Sequence, residues 1–382
     1  IITVDAGTDT VLDLGGAGGD ESDVVVIESG ATLAATGIAG FTATNVTTNK
    51  STGAGNATLT AKADAAVTID VSGAKSDSKG FTLEGGSGTG ADILTGGAGA
   101  DIITGGAQID TITGNGGVDT IAGGAGNDII TAGAGADIIT VDAGTDTVLD
   151  LGGAGSGGES DVVIVADGAT LNATGVISFT ATSATQNNST GAGNATLTAA
   201  DGGSTMDVSA ATGSGVAFTL NGGDGVDIIT GSTGVDIISG GAGADIITIK
   251  SAGEANNDVI DGGDDVDILK LSTGGTDTFS TDNKLQNIET IQAHASGSTV
   301  ILSGQSEALT ITGSGNIDQI TGGSGTDIIN AGNGADIIII AAAGDSNSDV
   351  IDGGNGADIL KLSTGGTDTL TTDNKLTNVE SI

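Results

Sequence analysis

Large aliphatic residues recur every nine residues along 96–140, which reads GGAGADIIT GGAQIDTIT GNGGVDTIA GGAGNDIIT AGAGADIIT. Each nonapeptide opens with a glycine-rich half, places Asp at position 6 and has an aliphatic residue at position 8. In a strand, alternation turns position 8 inward and positions 7 and 9 outward. The predicted inward residues are Leu94, Ile103, Ile112, Ile121, Ile130, Ile139 and Val148. The pattern predicts short strands around a thin aliphatic core, and no stretch of helix length has helical periodicity.

Longer repeats enclose the nonapeptides. IITVDAGTDTVLDLGGAG occurs at 1–18 and again at 138–155, and DILKLSTGGTDT occurs at 267–278 and 358–369. Near-identity over such lengths indicates duplicated modules of an array rather than one catalytic domain. The chain opens and closes in mid-pattern, so we expect it to be a piece of a longer polypeptide.

Segments rich in Thr, Val, Ile and Ala separate the nonapeptide blocks and also predict strands, because such β-branched runs are broken by Gly and Asn. The predicted domains are a spacer at 1–83, block 1 at 84–151, a spacer at 152–220 that repeats 15–83, block 2 at 221–270, a spacer at 271–311, block 3 at 312–361 and a further spacer starting at 362–382. Loops are expected through AGEANN and AGDSNS, and DNKLQNIETI is expected to begin with one helical turn.

Composition narrows the possible partners. The chain of 382 residues has 49 acidic and 9 basic residues, a net charge of -40, and neither Lys nor Arg between Gly80 and Ile249. Such a field repels nucleic acid and anionic membrane surfaces and attracts cations. No apolar run approaches the roughly 18 residues of a membrane span, so membrane insertion is not expected. The absence of Cys excludes disulfides and thiolate metal sites.

The sequence contains no recognisable set of catalytic residues. His294 is the single histidine, no second histidine or cysteine supports it, and a surface loop is its expected place. Regular carboxylate spacing suits ions better than a glycosidase pair. We therefore predict that this chain is not an enzyme.

The nonapeptide G-G-x-G-x-D-x-U-x, with U a large aliphatic residue, is matched at 96–104, 123–131 and 322–330. It resembles the calcium-binding repeat of RTX proteins. The resemblance implies an all-β fold, a parallel β-roll or β-solenoid of stacked repeats with strand-rich spacers, forming an elongated solenoid. One coil would take two nonapeptides, so that residues 18 apart stack.

Calcium is the cofactor that the resemblance implies, and it takes roughly six to eight oxygens from carboxylates and carbonyls. The predicted ligands at position 6 are Asp92, Asp101, Asp110, Asp119, Asp128, Asp137, Asp146, Asp227, Asp236, Asp245, Asp258, Asp267, Asp318, Asp327, Asp336, Asp349 and Asp358. Predicted glycine ligands are Gly97, Gly99, Gly124, Gly126, Gly133 and Gly135, and Asp224, Asp264, Asn333 and Asn355 at position 3 could add an oxygen. A solvated acidic face is the alternative interpretation of the Asp residues.

In block 1 the coil length predicts two ladders of carboxylates on opposite edges. One ladder holds Asp92, Asp110, Asp128 and Asp146, and the other holds Asp101, Asp119 and Asp137. Each calcium would lie between two stacked turns of one ladder, and without it the carboxylates would repel. Gln108, Ile109 and Asn115 depart from the consensus, so their two turns are expected to bind weakly or to lose an ion.

The outward positions carry two kinds of residue. Ordinary β-propensity explains Thr95, Thr104, Thr113, Thr131 and Thr140 better than an ice-binding array does. The outward residues Ile93, Ile102, Ile129 and Ile138 are expected to be covered by a neighbouring sheet, chain or subunit.

Similarity to bacterial surface-layer proteins and RTX adhesins implies an extracellular, calcium-dependent structural protein. It would leave the cell by type I secretion and self-assemble into a surface layer or filament on a bacterial cell. The expected partner is the chain itself, with cell-surface polysaccharide a further candidate through a region outside this chain. Two alternatives stay open: the calcium-rigidified stalk of an adhesin, and the non-catalytic RTX region of an exported enzyme whose catalytic domain lies beyond residues 1 or 382.

Overall fold

The computed structural model describes residues 1–5, 7–12, 14, 23–51, 57–75, 77–152, 161–189, 194–250, 257–341, 349–362 and 375–382. The chain forms two compact units, unit 1 (1–197 and 210–216) and unit 2 (198–209 and 217–382). The fold is an all-β parallel solenoid of stacked coils, as the repeats predict.

The strands of unit 1 are short. They are β1 (Ile2–Val4), β2 (Gly7–Val11), β3 (Val25–Ile27), β4 (Ala31–Ile38), β5 (Phe41–Thr42), β6 (Thr48–Asn49), β7 (Ala57–Ala61), β8 (Thr68–Asp70), β9 (Thr82–Glu84), β10 (Ile93–Thr95), β11 (Ile102–Ala107), β12 (Thr111–Thr113), β13 (Thr120–Ala125), β14 (Ile129–Thr131), β15 (Ile138–Val141), β16 (Thr145–Val148), β17 (Val162–Val165), β18 (Thr170–Val176), β19 (Ser178–Thr180) and β20 (Gln186–Asn187). Strand β21 (Ala195–Ala199) spans the boundary of the two units.

The strands of unit 2 have similar lengths. They are β22 (Thr205–Asp207), β23 (Thr219–Asp224), β24 (Ile228–Thr230), β25 (Ile237–Ala242), β26 (Ile246–Ile249), β27 (Val259–Asp264), β28 (Ile268–Leu271), β29 (Thr276–Thr278), β30 (Leu285–Gln286), β31 (Thr290–Gln292), β32 (Thr299–Ile301), β33 (Thr310–Ser314), β34 (Gln319–Thr321), β35 (Ile328–Gly332), β36 (Ile337–Ile339), β37 (Val350–Asp352), β38 (Ile359–Lys361) and β39 (Leu376–Thr377).

Successive strands alternate between two sheets, so one coil takes two nonapeptides. In unit 1, one sheet runs β2-β4-β7-β9-β11-β13-β15-β17-β20, and β5-β8-β10-β12-β14-β16-β18 are neighbours in a second. In unit 2, β22-β24-β26-β28-β31-β33-β35-β37-β39 are neighbours in one sheet, while β23-β25-β27-β30 and β29-β32-β34-β36-β38 follow the same alternation.

The register stacks equivalent positions of the nonapeptide. Leu94 pairs with Ile112 and Ile103 with Ile121, which confirms the 18-residue coil of block 1. The coil lengthens to 22 residues between Asp236 and Asp258, since extra residues precede β27. Apart from Asn257, the predicted loop AGEANN lies outside the described residues, as does AGDSNS.

The predicted inward residues form the core. Leu94, Ile103, Ile112, Ile121, Ile130, Ile139 and Val148 are all fully buried. The position 7 neighbours point outward, as predicted, but the chain itself leaves them partly uncovered: Ile93, Ile102, Ile129 and Ile138 show 38–48% of their surface. Because position 8 supplies one residue per strand, the core is a single aliphatic layer between the two sheets.

Spacer and block strands belong to the same sheets in unit 1. Strand β8 pairs with β10, and β9 pairs with β11, although β8 and β9 lie in or at the edge of the predicted spacer. The domain boundaries themselves stay predictions.

The expected helical turn is present as a 3₁₀ turn at Asp282–Lys284. His294 lies beside a different turn, where its Nδ1 is 2.7 Å from Ser296 Oγ.

Adjacent isoleucines of β11 test the inward and outward assignment. Ile103 is fully buried and Ile102 is 38% exposed. We expect Ile103→Ala to lower the calcium-saturated free energy of unfolding by about 2–5 kcal/mol, because it opens a cavity between tightly stacked layers. Ile102→Ala should cost about 1 kcal/mol or less. Denaturant titration measures both, and equal losses would contradict the assignment.

Candidate metal site

The position 6 Asp residues form the two predicted ladders of block 1. The amide of Asp92 donates to Oδ1 of Asp110 at 2.7 Å, and the amide of Asp101 donates to Oδ1 of Asp119 at 2.7 Å. The same bond links Asp110 to Asp128, Asp119 to Asp137 and Asp128 to Asp146. Each carboxylate therefore ties its own turn to the backbone of the coil before it.

Every predicted position 6 ligand is buried. Exposure is 3% or less for Asp92, Asp101, Asp110, Asp119, Asp128, Asp137, Asp146, Asp227, Asp236, Asp245, Asp258, Asp267, Asp318, Asp327, Asp336, Asp349 and Asp358. A solvated acidic face would leave these side chains in water, so the burial argues against that alternative.

One oxygen of many ladder carboxylates has no hydrogen-bond partner. The buried, unpaired atom is Oδ2 of Asp110, Asp119, Asp128, Asp227, Asp245, Asp267, Asp336 and Asp358. An unsatisfied buried charge is costly, and it persists only where a cation or another partner compensates for it. The ion pairs Lys50–Glu28 and Lys75–Asp77 are exposed and lie in the first spacer, far along the chain from these atoms.

The glycines leave space beside these oxygens. A Cβ at Gly105 would lie 2.7 Å from Oδ2 of Asp110 and 2.4 Å from the carbonyl oxygen of Gly123 in the next coil. A Cβ at Gly114 would likewise overlap Oδ2 of Asp119 and the carbonyl oxygen of Ala132. Carboxylate and main-chain oxygens of stacked turns thus line one cradle, which a side chain at position 1 would fill.

The predicted glycine ligands lie within these turns. Gly124, Gly126, Gly133 and Gly135 have positive φ, whereas the backbone of Gly97 and Gly99 does not adopt that region. Cβ atoms on the first four would overlap carbonyls of the preceding coil. Main-chain oxygens therefore crowd these turns, and which of them bind metal stays a prediction.

The position 3 side chains lie apart from the buried carboxylates. Asp224, Asp264, Asn333 and Asn355 are exposed at the surface of the turns. Nδ2 of Asn355 donates to Oδ1 of Asn333 at 2.7 Å, so these amides pair with each other across coils. The structure does not bring the four side chains into the row of buried carboxylates.

The residues that depart from the consensus keep a backbone conformation that glycine usually adopts. Gln108 has φ 87° and Asn115 has φ 72°, and Asp265 at position 4 of its turn has φ 82°. A side chain in this region costs roughly 1–3 kcal/mol, while Nδ2 of Asn115 gains a hydrogen bond to the carbonyl of Gly96 at 2.8 Å. The turn conformation survives the substitutions, and weaker ion binding there stays a prediction.

Three further carboxylates extend the ladders. Glu289 and Glu380 accept the amides of Asp267 and Asp358 through Oε2 at 2.8 and 2.7 Å, in the place of a next Asp. Asp161 accepts the amide of Asp137 in the same way. The echoed LQNIETI and LTNVESI carried the signal for the two glutamates, because each lies 22 residues after the last Asp. The nine-residue spacing alone misses them.

Burial changes the protonation of the ladder. It raises the pKa of Asp119 from 3.8 to about 7. The hydrogen bond from the Asp101 amide lowers this pKa, whereas the charges of Asp101 and Asp137 also raise it. Burial likewise raises the pKa of Asp110 and Asp146 to about 6. The ladders resist ionisation unless a cation offsets the charge.

These residues fit calcium. The described residues contain no cluster of three or more His, Cys, Asp or Glu side chains that could hold a metal without help. The donor set must therefore combine carboxylate Oδ2 atoms with main-chain carbonyls, which are the hard oxygen donors that calcium prefers. Bound calcium would supply positive charge between stacked turns, held by the ladder Asp residues and the glycine-rich backbone.

The raised pKa values predict an inverted pH dependence in calcium-free buffer. The folded state binds more protons than the unfolded chain between about pH 4 and about pH 7, so its stability is lost as the pH rises through that window. Circular dichroism in calcium-stripped buffer should therefore show more β signal at about pH 5 than at about pH 8. A signal that is constant across this range would contradict the ladder electrostatics.

Comparison with known families agrees with this geometry. The family described as the RTX calcium-binding nonapeptide repeat matches residues 82–112, 113–148, 219–248, 310–339 and 342–370. No curated protein matches the chain. The matched ranges contain every ladder residue named above for its unpaired Oδ2 atom except Asp267. The chain therefore carries several copies of the RTX calcium-binding nonapeptide repeat, and calcium is the cofactor expected for these repeats.

Proposed function

We propose that the chain is a calcium-gated structural array of an extracellular protein, which self-assembles into a surface layer or filament on a bacterial cell. The observation that carries this proposal is the row of buried, unpaired carboxylate oxygens in a stretch without Lys or Arg. Such a stack is strongly disfavoured without divalent cations, so it would stay unfolded in a calcium-poor cytoplasm and fold outside the cell.

Secretion is consistent with the repeat type. Proteins with RTX repeats are typically secreted, and a chain that folds only in external calcium can pass a type I exporter unfolded. Within the described residues, no helix has the length and apolar character needed to cross a membrane.

The duplicated modules support assembly because they repeat the same strand pairing. In the identical segments 1–18 and 138–155, Ile2 pairs with Val25 as Ile139 pairs with Val163. Asp9 likewise pairs with Leu33 as Asp146 pairs with Leu171, although Asp9 is exposed and Asp146 is buried. Repeated modules of equal register favour repeated, ordered contacts between copies.

Outward isoleucines supply the apolar part of such contacts. Ile93 and Ile129 stand in one sheet of unit 1, and Ile102 and Ile138 stand in the other. Thr111 and Thr120 occupy the same position in the intervening coils. Each sheet thus carries a stripe in which exposed isoleucine and threonine alternate from coil to coil, and association between copies would cover the isoleucines.

Removal of calcium tests the gating. We expect chelator to abolish most of the β signal in circular dichroism and added calcium to restore it, because the cation offsets the buried carboxylates. Magnesium should not substitute, since it demands a smaller octahedral site. An unchanged β signal in chelator would rule out calcium-gated folding.

Replacement of the stripe tests assembly. The variant Ile93→Thr, Ile102→Thr, Ile129→Thr and Ile138→Thr takes the residue already present in alternate coils. We expect it to keep calcium-dependent folding and to lose the sheets or filaments that electron microscopy shows for the parent in calcium. The matched control carries Thr95→Ser, Thr113→Ser, Thr131→Ser and Thr140→Ser and should still assemble.

Three results would distinguish a surface assembly from an adhesin stalk or a region of an exported enzyme. A parent chain that stays a monomeric rod in calcium at high concentration would favour an adhesin stalk over an assembly. Catalytic activity of a longer parent protein, with this region dispensable for the reaction, would favour an exported enzyme. A quadruple Ile variant that assembles as well as the parent would overturn the role of the stripe.

A further inference from the structure

The position 6 carboxylates fall into two classes of turn. In an open turn, Oδ1 accepts the amide of the preceding coil and Oδ2 has no partner. In a closed turn, Oδ2 also accepts an amide, donated by the position 2 residue of the same turn. Four turns are closed by such a hydrogen bond to Oδ2. The donors are the amides of Gly97 to Asp101 at 2.6 Å, Ser232 to Asp236 at 2.7 Å, Ser314 to Asp318 at 2.7 Å and Gly323 to Asp327 at 2.9 Å.

The backbone at position 2 separates the same classes, with one exception. It has positive φ in the open turns at Gly106, Asn115, Gly124, Gly223, Gly241, Gly263, Gly332 and Gly354, whereas Asp142, at position 2 of the Asp146 turn, lacks positive φ although Oδ2 of Asp146 has no partner. None of the four position 2 residues of the closed turns has positive φ. Rotation of this one peptide therefore accompanies the loss of the amide donor from the carboxylate. Asp92 follows the closed pattern in a longer turn, where Gly86 N donates to Oδ2 at 2.8 Å.

Closed turns stand where most ladders begin; the exception is the open turn of Asp227, whose Oδ1 accepts the amide of Ser204 while its Oδ2 has no partner. Oδ1 of Asp101, Asp236, Asp318 and Asp327 accepts the amides of Phe81, Phe218, Ser298 and Leu309, whose coils have no position 6 Asp. Open turns such as those of Asp119 and Asp245 follow another Asp turn one coil earlier. An ion shared by two turns needs oxygen donors from both, and the first turn of a ladder has no such neighbour before it.

Side chains at position 2 occur in both classes of turn. Ser232 and Ser314 occupy it in closed turns, and Asn115 occupies it in the open turn of Asp119 with φ 72°. A Cβ at Gly97, in a closed turn, would come no closer than 3.4 Å to its neighbours, the ordinary contact distance. At Gly124, by contrast, φ is 95° and a Cβ would overlap the carbonyl oxygen of Gly106. A serine at Gly97 therefore meets neither strain nor overlap, whereas a serine at Gly124 meets both.

We propose that calcium binds through Oδ2 only at open turns, and that Asp92, Asp101, Asp236, Asp318 and Asp327 start their ladders as hydrogen-bonded caps without a metal of their own. The inference rests on calcium binding by the repeats and specifies which carboxylates take part. Each ladder that begins with a cap then holds fewer ions than it has position 6 Asp residues. The cap satisfies the first carboxylate with protein amides, so the stack can begin without a calcium on its outer side.

Matched serine variants at position 2 test the division. The experiment compares Gly97→Ser with Gly124→Ser and counts bound calcium by equilibrium dialysis with radioactive calcium chloride. Gly97→Ser should bind as many ions as the parent, with a midpoint for calcium-induced folding within about twofold. Gly124→Ser should lose at least one ion and need more calcium to fold. Loss of an ion by Gly97→Ser, or its failure to fold, would overturn the proposal.

Carboxylate variants give a second, independent count. Asp119→Asn removes an open Oδ2 and should lower the number of bound ions, while Asp101→Asn weakens two backbone hydrogen bonds and should lower stability with an unchanged number of ions. An equal loss of ions in both variants would refute the two classes yet leave calcium binding intact. A parent chain that binds no calcium at all would instead refute the calcium function itself.

Discussion

The hydrogen bond from one Asp amide to the carboxylate of the Asp one coil later is the interaction on which the structure depends. It fixes the vertical register of the coils at their edges, together with the backbone hydrogen bonds that continue between stacked turns. It also draws a charged group out of water and leaves its second oxygen facing the turn. Stacking and the need for a cation are therefore two consequences of the same buried carboxylate.

The core contributes little specificity of its own. One aliphatic residue per strand fills the space between two sheets, and its neighbours above and below are nearly identical. A shift by one whole coil would bury the same kind of surface, so hydrophobic packing alone does not select the register. Ladder ends that differ from the repeat supply that selection, such as Glu289 and Glu380 at one end and the closed turns at the other.

Charge and backbone conformation are linked in each turn. A positive φ at position 2 removes the internal amide donor from Oδ2, and the freed oxygen raises the electrostatic cost of the turn. Burial and neighbouring carboxylates raise the pKa of Asp119 for the same reason. Bound calcium would offset this cost because it would supply positive charge where the protein supplies none.

The sequence alone determined the repeat and the inward set, because strand alternation and the nine-residue period follow directly from residue spacing. The nonapeptide resemblance implied the 18-residue coil, the two Asp ladders and calcium. Only the tertiary structure decided that the position 3 side chains of Asp224 and Asn333 are exposed and that Glu289 ends a ladder. The open or closed state of each turn was decided there too, because it depends on which amides reach the carboxylate. The physical reason is that the hydrogen-bond partners of each carboxylate come from a neighbouring coil. A periodic sequence pattern specifies the repeated coil, but it does not specify which residues end the stack of coils.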